Sequence, residues 1–171
     1  MAEGDDAATL VERLFGAALG GFDLLCVYIG DRLGLYRVLA DGDPMTAGGL
    51  AHAAAVHPRY AREWLEQQAM SGILVVDDPG LPDDERRYRL PPAHAEVLLD
   101  ELSMNFMTPI AQLFVACTGP LGAVVEAFRS GSGVPYADYG PDLHEGQARF
   151  SRVLFDNLLT SEWLPAVPEV H

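Results

Sequence analysis

The sequence contains no lysine: all 11 basic residues are arginine, and 25 acidic residues leave a formal net charge of −14. Contacts with nucleic-acid backbones or anionic lipids need cations that release counterions, so this charge disfavours both kinds of partner. We therefore expect neither nucleic acid nor a membrane as a partner.

The chain has 171 residues, of which 49% are hydrophobic. That is enough for a sizeable core and fits one domain, or one domain with an extension.

Cysteine is also scarce. Cys26 and Cys117 are the only two, each lies among apolar residues, and neither belongs to a CxxC motif. We expect two buried free thiols, which suit a reducing cytoplasm better than a disulfide does. The first six residues are acidic where a signal peptide needs positive charge, so the sequence predicts a cytoplasmic location.

The usual sequence motifs of catalytic and cofactor sites are missing. A Rossmann-type nucleotide site needs a strand, a glycine-rich turn and a helix in succession. The nearest candidate, Gly131-Ser132-Gly133, has Tyr136 at the third glycine position and follows a helical pattern. The five histidines are scattered without metal-ligand spacing, and no serine or cysteine has the sequence context of a nucleophile. We predict no metal site, no cofactor-binding residue and no catalytic residue in this chain.

Hydrophobic periodicity predicts two helices at the start of the chain. The first covers Ala7 to Ala18, with Thr9 and Glu12 spaced as a capping box. The second covers Phe22 to Leu39, and Gly20-Gly21 separates the two patterns.

The next segment has the order of a winged helix-turn-helix. Thr46 is a suitable N-cap for a short helix from Ala47 to Val56, and a third helix follows over Arg59 to Met70. Strands are predicted at Ile73 to Val76 and at Arg87 to Leu90, joined by a loop rich in Asp, Pro and Gly.

Leu102 to Val125 is a run of 24 residues without charge, which raises the question of a membrane span. Gln112 and the break at Gly119-Pro120 favour two helices buried in a core or a subunit interface, and a ligand groove is the remaining alternative. A glycine-rich loop from Ser130 to Gly140 and a helix from Asp142 to Leu159 follow.

A DNA-reading winged helix needs cations near the phosphates. The third helix has two arginines and two glutamates, and the loop with the return strand has three arginines against five acidic residues. This charge balance disfavours DNA binding, although a winged-helix DNA-binding transcription regulator remains the alternative function. A stand-alone interaction or small-ligand-binding protein is a third interpretation.

Five segments together resemble one family, the bacterial class I S-adenosylmethionine-dependent methyltransferases with an N-terminal winged-helix domain, such as many small-molecule O-methyltransferases. The segments are Cys26 to Tyr36, Arg62 to Ala69 followed by Gly72, Tyr88 to Pro91, Val134 to Gly140, and Ser161 to Pro165.

The resemblance implies a mainly α fold: a winged helix-turn-helix with a small β-wing, followed by a helical dimerisation and lid extension. It implies an N-terminal helix over residues 1–21, a winged-helix domain over 22–100 and the extension over 101–171, leading to a Rossmann-like methyltransferase domain. We expect that last domain, which holds S-adenosylmethionine in full-length relatives, to be absent here, so that the chain is not catalytic by itself.

The resemblance also implies a homodimer, formed chiefly through Phe22 to Leu39 and Leu102 to Phe128. It further implies a lid over a small-molecule acceptor. His144 lies at the start of a helix, where it either caps that helix or lines a ligand pocket as an acid or base. The candidate residues that line the substrate are Tyr136, Tyr139, His144 and Phe150.

Overall fold

The computed structural model describes residues 6–167. Within that range the chain forms eight α-helices and one two-stranded sheet, with a 3-10 turn at Tyr136–Tyr139 and a π-helical turn at Leu159–Trp163. The predicted mainly α fold with a winged helix-turn-helix is confirmed. In chain order the elements are α1 (Ala7–Arg32), α2 (Leu35–Ala40), α3 (Ala47–Ala53), α4 (Pro58–Met70), β1 (Val75–Val76), β2 (Tyr88–Arg89), α5 (Pro92–Leu99), α6 (Thr108–Thr118), α7 (Leu121–Ser130) and α8 (Pro141–Leu158).

The prediction of two helices at the start of the chain is wrong, because α1 runs unbroken through Gly20-Gly21. A helical glycine costs only about 1 kcal/mol relative to alanine, which does not stop a long helix. The break comes at Gly34, whose φ of 67° is a conformation that glycine adopts readily. The prediction of a capping box at Thr9 and Glu12 is also wrong. Asp6 is the N-cap, and its carboxylate accepts a hydrogen bond from the Thr9 N–H at 2.7 Å.

The winged helix-turn-helix lies in α2 to β2. Thr46 caps α3 as predicted, since its Oγ1 accepts a hydrogen bond from the Gly49 N–H. The two strands pair antiparallel, with Val75 opposite Arg89. Each strand has only two residues, fewer than the four predicted, and Met45 forms an additional bridge to Tyr88.

The core of this domain is formed by aromatic and aliphatic side chains from α2, α3, α4 and the wing. The most deeply buried side chains are exposed by 3% or less: Leu35, Tyr36, Leu39, Leu50, Leu65, Leu74 and Tyr88. The Tyr36 hydroxyl donates to the buried amide oxygen of Gln68, and the Trp64 indole N–H donates to the carbonyl of Cys26 at 2.9 Å. The first bond joins α2 to α4, and the second joins α4 to the C-terminal half of α1.

The extension consists of α6, α7 and α8. Gly146 allows α8 to approach α6 closely, since a methyl group there would lie 3.2 Å from Leu113 Cγ. The charge-free run forms two helices as predicted, but only α6 is buried; α7 contains no buried residue. The expected burial of Cys117 is wrong, because this residue lies near the end of α6 and is exposed. Cys26 is half-buried, and both cysteines are free.

Within residues 6–167, no single helix is both long and apolar enough to cross a membrane. The helices α6 and α7 are long and apolar enough only when they are taken together, and a 56° bend separates them.

Gly30→Ala should destabilise the fold. A methyl group on Gly30 would lie 2.6 Å from a ring carbon of Trp64 and 2.6 Å from one of Tyr36, and these rings form the edge-to-face pair at the centre of the core. Overpacking of this kind costs about 1–3 kcal/mol. Urea unfolding measures the loss.

The matched control is Gly16→Ala, in the same helix, where nothing lies within 4 Å of the added methyl group. This change should be neutral or stabilise by about 0.5–1 kcal/mol. Equal effects of the two substitutions would contradict the close packing at Gly30.

Candidate functional site

The first turns of α8 are joined to α1 and α6 by a group of charged and amide side chains, which we call the polar junction. Its members are Tyr28, Asp31 and Arg32 of α1, Gln112 of α6, and Asp142, Glu145 and Arg149 of α8.

One half of the polar junction gathers around two carboxylates. Arg32 lies 3.0 Å from an oxygen of Asp142 and 3.0 Å from one of Glu145. The Gln112 amide nitrogen donates to the same two carboxylates, at 3.0 and 2.8 Å. The Tyr28 hydroxyl donates to Asp142 at 2.7 Å. This hydrogen bond, with a smaller effect of burial, raises the pKa of Tyr28 above its usual value. The phenol therefore stays protonated as a donor at neutral pH.

The other half of the polar junction is a two-pronged ion pair. The Arg149 guanidinium donates to both oxygens of Asp31, at 2.7 and 3.2 Å, and to the Gln112 side-chain oxygen at 3.0 Å. The side chains of Arg149 and Asp31 are only 16% and 10% exposed. Burial by itself lowers the pKa of Arg149, but the hydrogen bonds to Asp31 and the surrounding carboxylates outweigh it and raise this pKa. The Arg149 guanidinium therefore stays charged, and its contacts with Asp31 link α8 to α1.

A polar cavity of about 370 Å³ opens beside the polar junction. Three arginines and three acidic residues line it: Asp31, Arg32, Arg37, Glu101, Glu145 and Arg149. Each arginine lies within 4.0 Å of a carboxylate of this group, so the lining has no net charge to attract an anionic or a cationic ligand. The arrangement is suited to holding helices together.

Of the four residues predicted to line a substrate, the structure brings two together. The rings of Tyr136 and His144 stack, with centroids 4.6 Å apart and an angle of 28° between their planes. The Tyr136 hydroxyl donates to Gln147 at 2.8 Å. Both rings are exposed, which leaves them accessible to a molecule above the first turns of α8.

The other two predicted residues lie apart from that pair. Tyr139 is half-buried at the end of the 3-10 turn, and Phe150 lies further along α8 with 37% of its surface exposed. Among the aromatic rings of residues 6–167, neither stacks on Tyr136 or His144.

The polar junction is absent from the sequence-based prediction. Two signals could have indicated it. Gln112 is a lone amide in the middle of a charge-free helical run, and Asp142, Glu145 and Arg149 recur at spacings of three and four along one helix. A buried amide must find partners of both kinds, a donor and an acceptor.

An apolar cavity of about 360 Å³ lies between α1, the end of α4 and α5. Its lining includes Leu24, Val27, Ile73, Val97 and Met107. His94 also borders it, but the Nδ1 atom of this ring lies 2.8 Å from the carbonyl of Ile73 and is thereby engaged with the backbone. The cavity offers shape and hydrophobicity without a group of polar atoms that could orient a reacting molecule.

On the surface that a DNA-binding winged helix would use, three arginines are paired with carboxylates. Arg59 of α4 contacts Glu63 at 2.9 Å, and in the wing Arg86 contacts Asp83 at 3.0 Å. Arg89 lies 3.6 Å from Asp77. Carboxylates at these positions would repel the phosphates that the arginines would have to bind. In the part of the chain that the structure describes, no group of three or more His, Cys, Asp or Glu side chains could hold a metal ion.

Residues 21–99 match the family model described as the Rv2258c-like winged HTH domain. This segment is therefore similar to that family and has the winged helix-turn-helix fold that its description names. The match covers the last 12 residues of α1 and every element from α2 to α5, so the matched segment includes the observed wing. No curated protein matches the chain by sequence.

Three solved methyltransferases have a similar fold. N,N-8-amino-8-demethyl-D-riboflavin dimethyltransferase (RosA) from Streptomyces davawensis is 24% identical over 88% of this chain and 45% of its own, with a TM-score of 0.60. Mitomycin 7-O-methyltransferase MmcR is 19% identical over 86% and 45%, with a TM-score of 0.59. CalO1, a methyltransferase of calicheamicin biosynthesis solved with SAH bound, is 19% identical over 87% and 45%, with a TM-score of 0.58.

These likenesses show that the shared fold continues beyond residues 21–99 into α6, α7 and α8. The chain spans about 45% of the length of each of the three methyltransferases.

Arg149→Ala should destabilise the attachment of α8. It leaves the carboxylate of Asp31 and the side-chain oxygen of Gln112 without their main cationic donor in a largely buried place. We expect a loss of about 1–3 kcal/mol in the free energy of unfolding, measured by urea titration.

Arg129→Ala is the matched control, because Arg129 pairs with Glu126 on the exposed face of α7. Its effect should stay within about 0.5 kcal/mol. A similar small effect of Arg149→Ala would show that the polar junction does not hold α8 in place.

Proposed function

We propose that this chain is the dimerisation and substrate-lid region of a SAM-dependent methyltransferase that acts on a small-molecule acceptor. The observation that carries the proposal is a fold shared along almost the whole chain with RosA, MmcR and CalO1, together with the Rv2258c-like domain at residues 21–99. The division into a winged-helix domain up to residue 100 and an extension from residue 101 is part of this proposal.

The lid in this proposal is the 3-10 turn and the start of α8. Gly131 and Gly140 flank the loop that contains the 3-10 turn, and both have a positive φ, of 74° and 75°. Between them Tyr136 reaches across to stack on His144. Aromatic rings exclude water and present a polar atom at their edge with few rotatable bonds, which suits a cover over an acceptor. The polar junction fixes the helix from which this lid extends.

This proposal divides the reaction between two parts of the enzyme. S-adenosylmethionine supplies the methyl group when it is bound in a Rossmann-like domain. The residues described here orient the acceptor and shield it, and such positioning accounts for much of the rate gain in a two-substrate transfer. The proposal assigns no catalytic residue to this chain.

Sedimentation and calorimetry on the purified chain test the proposal. We expect a dimer at micromolar concentration, no micromolar binding of S-adenosylmethionine, and no transfer of a labelled methyl group to an acceptor. A strict monomer would contradict the dimerisation role. Methyl transfer by the chain alone would contradict the proposal that donor binding and catalysis need a separate domain. Salt-dependent binding of duplex DNA in a gel shift at low salt would favour the transcription-regulator alternative instead.

The lid is tested in an enzyme that joins this chain to a donor-binding methyltransferase domain. Tyr136→Ala removes the stack on His144 and the hydrogen bond to Gln147. We expect the KM for the acceptor to rise several-fold while the KM for S-adenosylmethionine stays unchanged. Tyr136→Phe keeps the stack, so it should raise the KM for the acceptor less than Tyr136→Ala does. Equal changes in both KM values would place Tyr136 outside the lid.

A further inference from the structure

The apolar cavity between α1, the end of α4 and α5 reaches the winged-helix core. Val27 and Leu98 are its least exposed lining residues, at 8% and 7%, and both belong to that core. The half-buried side chains of Ile73 and Val97 also line it, and the exposed Met107 lies at its rim. A molecule that enters the cavity therefore covers apolar surface down to the core.

The cavity is large enough for a small organic molecule. Its volume of about 360 Å³ lies within the range of about 300–1,000 Å³ that is common for small-molecule sites. An apolar cavity of about 150 Å³ is enough to hold benzene. The lining lies within residues 6–167 and contains no Arg, Asp or Glu, whereas three arginines and three acidic residues line the cavity beside the polar junction. The apolar cavity thus suits a neutral molecule.

His94 gives this cavity one polar atom of defined character. The Nδ1 atom lies 2.8 Å from the carbonyl oxygen of Ile73. A carbonyl oxygen only accepts, so Nδ1 carries the proton, and the neutral ring has its lone pair on Nε2. Within residues 6–167, the contact with Ile73 is the only hydrogen bond of this ring. The Nε2 atom is therefore left as an acceptor for a donor from another molecule.

We propose that the cavity binds a small, neutral, apolar molecule of one or two rings that carries a single N–H or O–H group, and that this group donates a hydrogen bond to Nε2 of His94. Contact of the rings with Val27 and Leu98 supplies most of the binding free energy, and the hydrogen bond orients the ligand.

This inference goes beyond the proposed function and does not rest on it. The cavity shares no lining residue with the polar junction or with the pair of Tyr136 and His144. A result against the lid or against dimerisation leaves the cavity and its lining unchanged.

Two probes of the same shape test the inference on the purified chain. Indole has one N–H donor, and benzothiophene has a sulfur atom in its place. Isothermal titration calorimetry should show that both bind, with indole about threefold to tenfold tighter, which is what one hydrogen bond contributes in water. Equal dissociation constants, or no binding of either probe, would overturn the inference.

Val97→Phe tests where indole binds, because a ring at this position fills part of the cavity. It should raise the dissociation constant for indole by about tenfold or more, since the added ring clashes with the ligand. Val124→Phe is the matched control, at a half-buried valine of α7 that does not line the cavity, and it should leave this constant unchanged. Circular dichroism confirms that both variants remain folded. An unchanged constant for a folded Val97→Phe variant would mean that indole binds elsewhere and that the inference is wrong.

Nitrogen-15 NMR of the imidazole gives an independent measurement of the role of His94. The free chain should show the proton on Nδ1, and indole should shift the Nε2 signal more than benzothiophene does. A proton on Nε2 in the free chain contradicts the inference.

A side chain of a second copy is the alternative occupant of the cavity. Titrations at several protein concentrations distinguish it from a small ligand, because a second copy would compete with indole. An apparent dissociation constant that rises with protein concentration would favour the second copy and overturn the inference, whereas a constant value supports it.

Discussion

The side-chain amide of Gln112 determines how the helical extension meets the winged-helix domain. It is fully buried, and it donates to Asp142 and Glu145 while accepting from Arg149. A buried amide left without partners costs about 1–3 kcal/mol, so the charged groups around it have to occupy their places together. Those three groups all belong to α8, and they contact Tyr28, Asp31 and Arg32 of α1 in turn. One amide on α6 thus helps to fix the relative position of three helices.

Sequence periodicity identified the winged helix correctly because each of its elements has a local cause. Thr46 caps α3, Pro58 begins α4, and a polar loop separates the two strands. Periodicity failed where the cause is not local. It read Gly20-Gly21 as a break, although a helix interior tolerates glycine, and it left α5 unassigned. It also left open whether the apolar helices of the charge-free run are buried in a core or in a subunit interface, and α7 has no buried residue within its own chain.

The candidate site was predictable in part. Tyr136 and His144 come together as neighbours of one loop-helix boundary, which a sequence can indicate. The polar junction joins residues more than a hundred positions apart, such as Asp31 and Arg149, and only the packing of α6 between α1 and α8 brings them into contact. Single residues of this kind carry no signal until the fold is known, because charged side chains of either sign are ordinary on helix surfaces.

The helix α1 carries two separate surfaces. One side contributes Asp31 and Arg32 to the polar junction, and the other carries exposed apolar side chains that include Phe15, Phe22 and Ile29. A helix is stiff over this length, so any contact along its exposed side would limit the movement of the polar junction and, through Asp142, of the first turn of α8. The proposed lid lies next to that turn. The proposed dimerisation and lid roles would then be mechanically linked through one continuous helix, and this link requires the unbroken path of α1 through Gly20-Gly21.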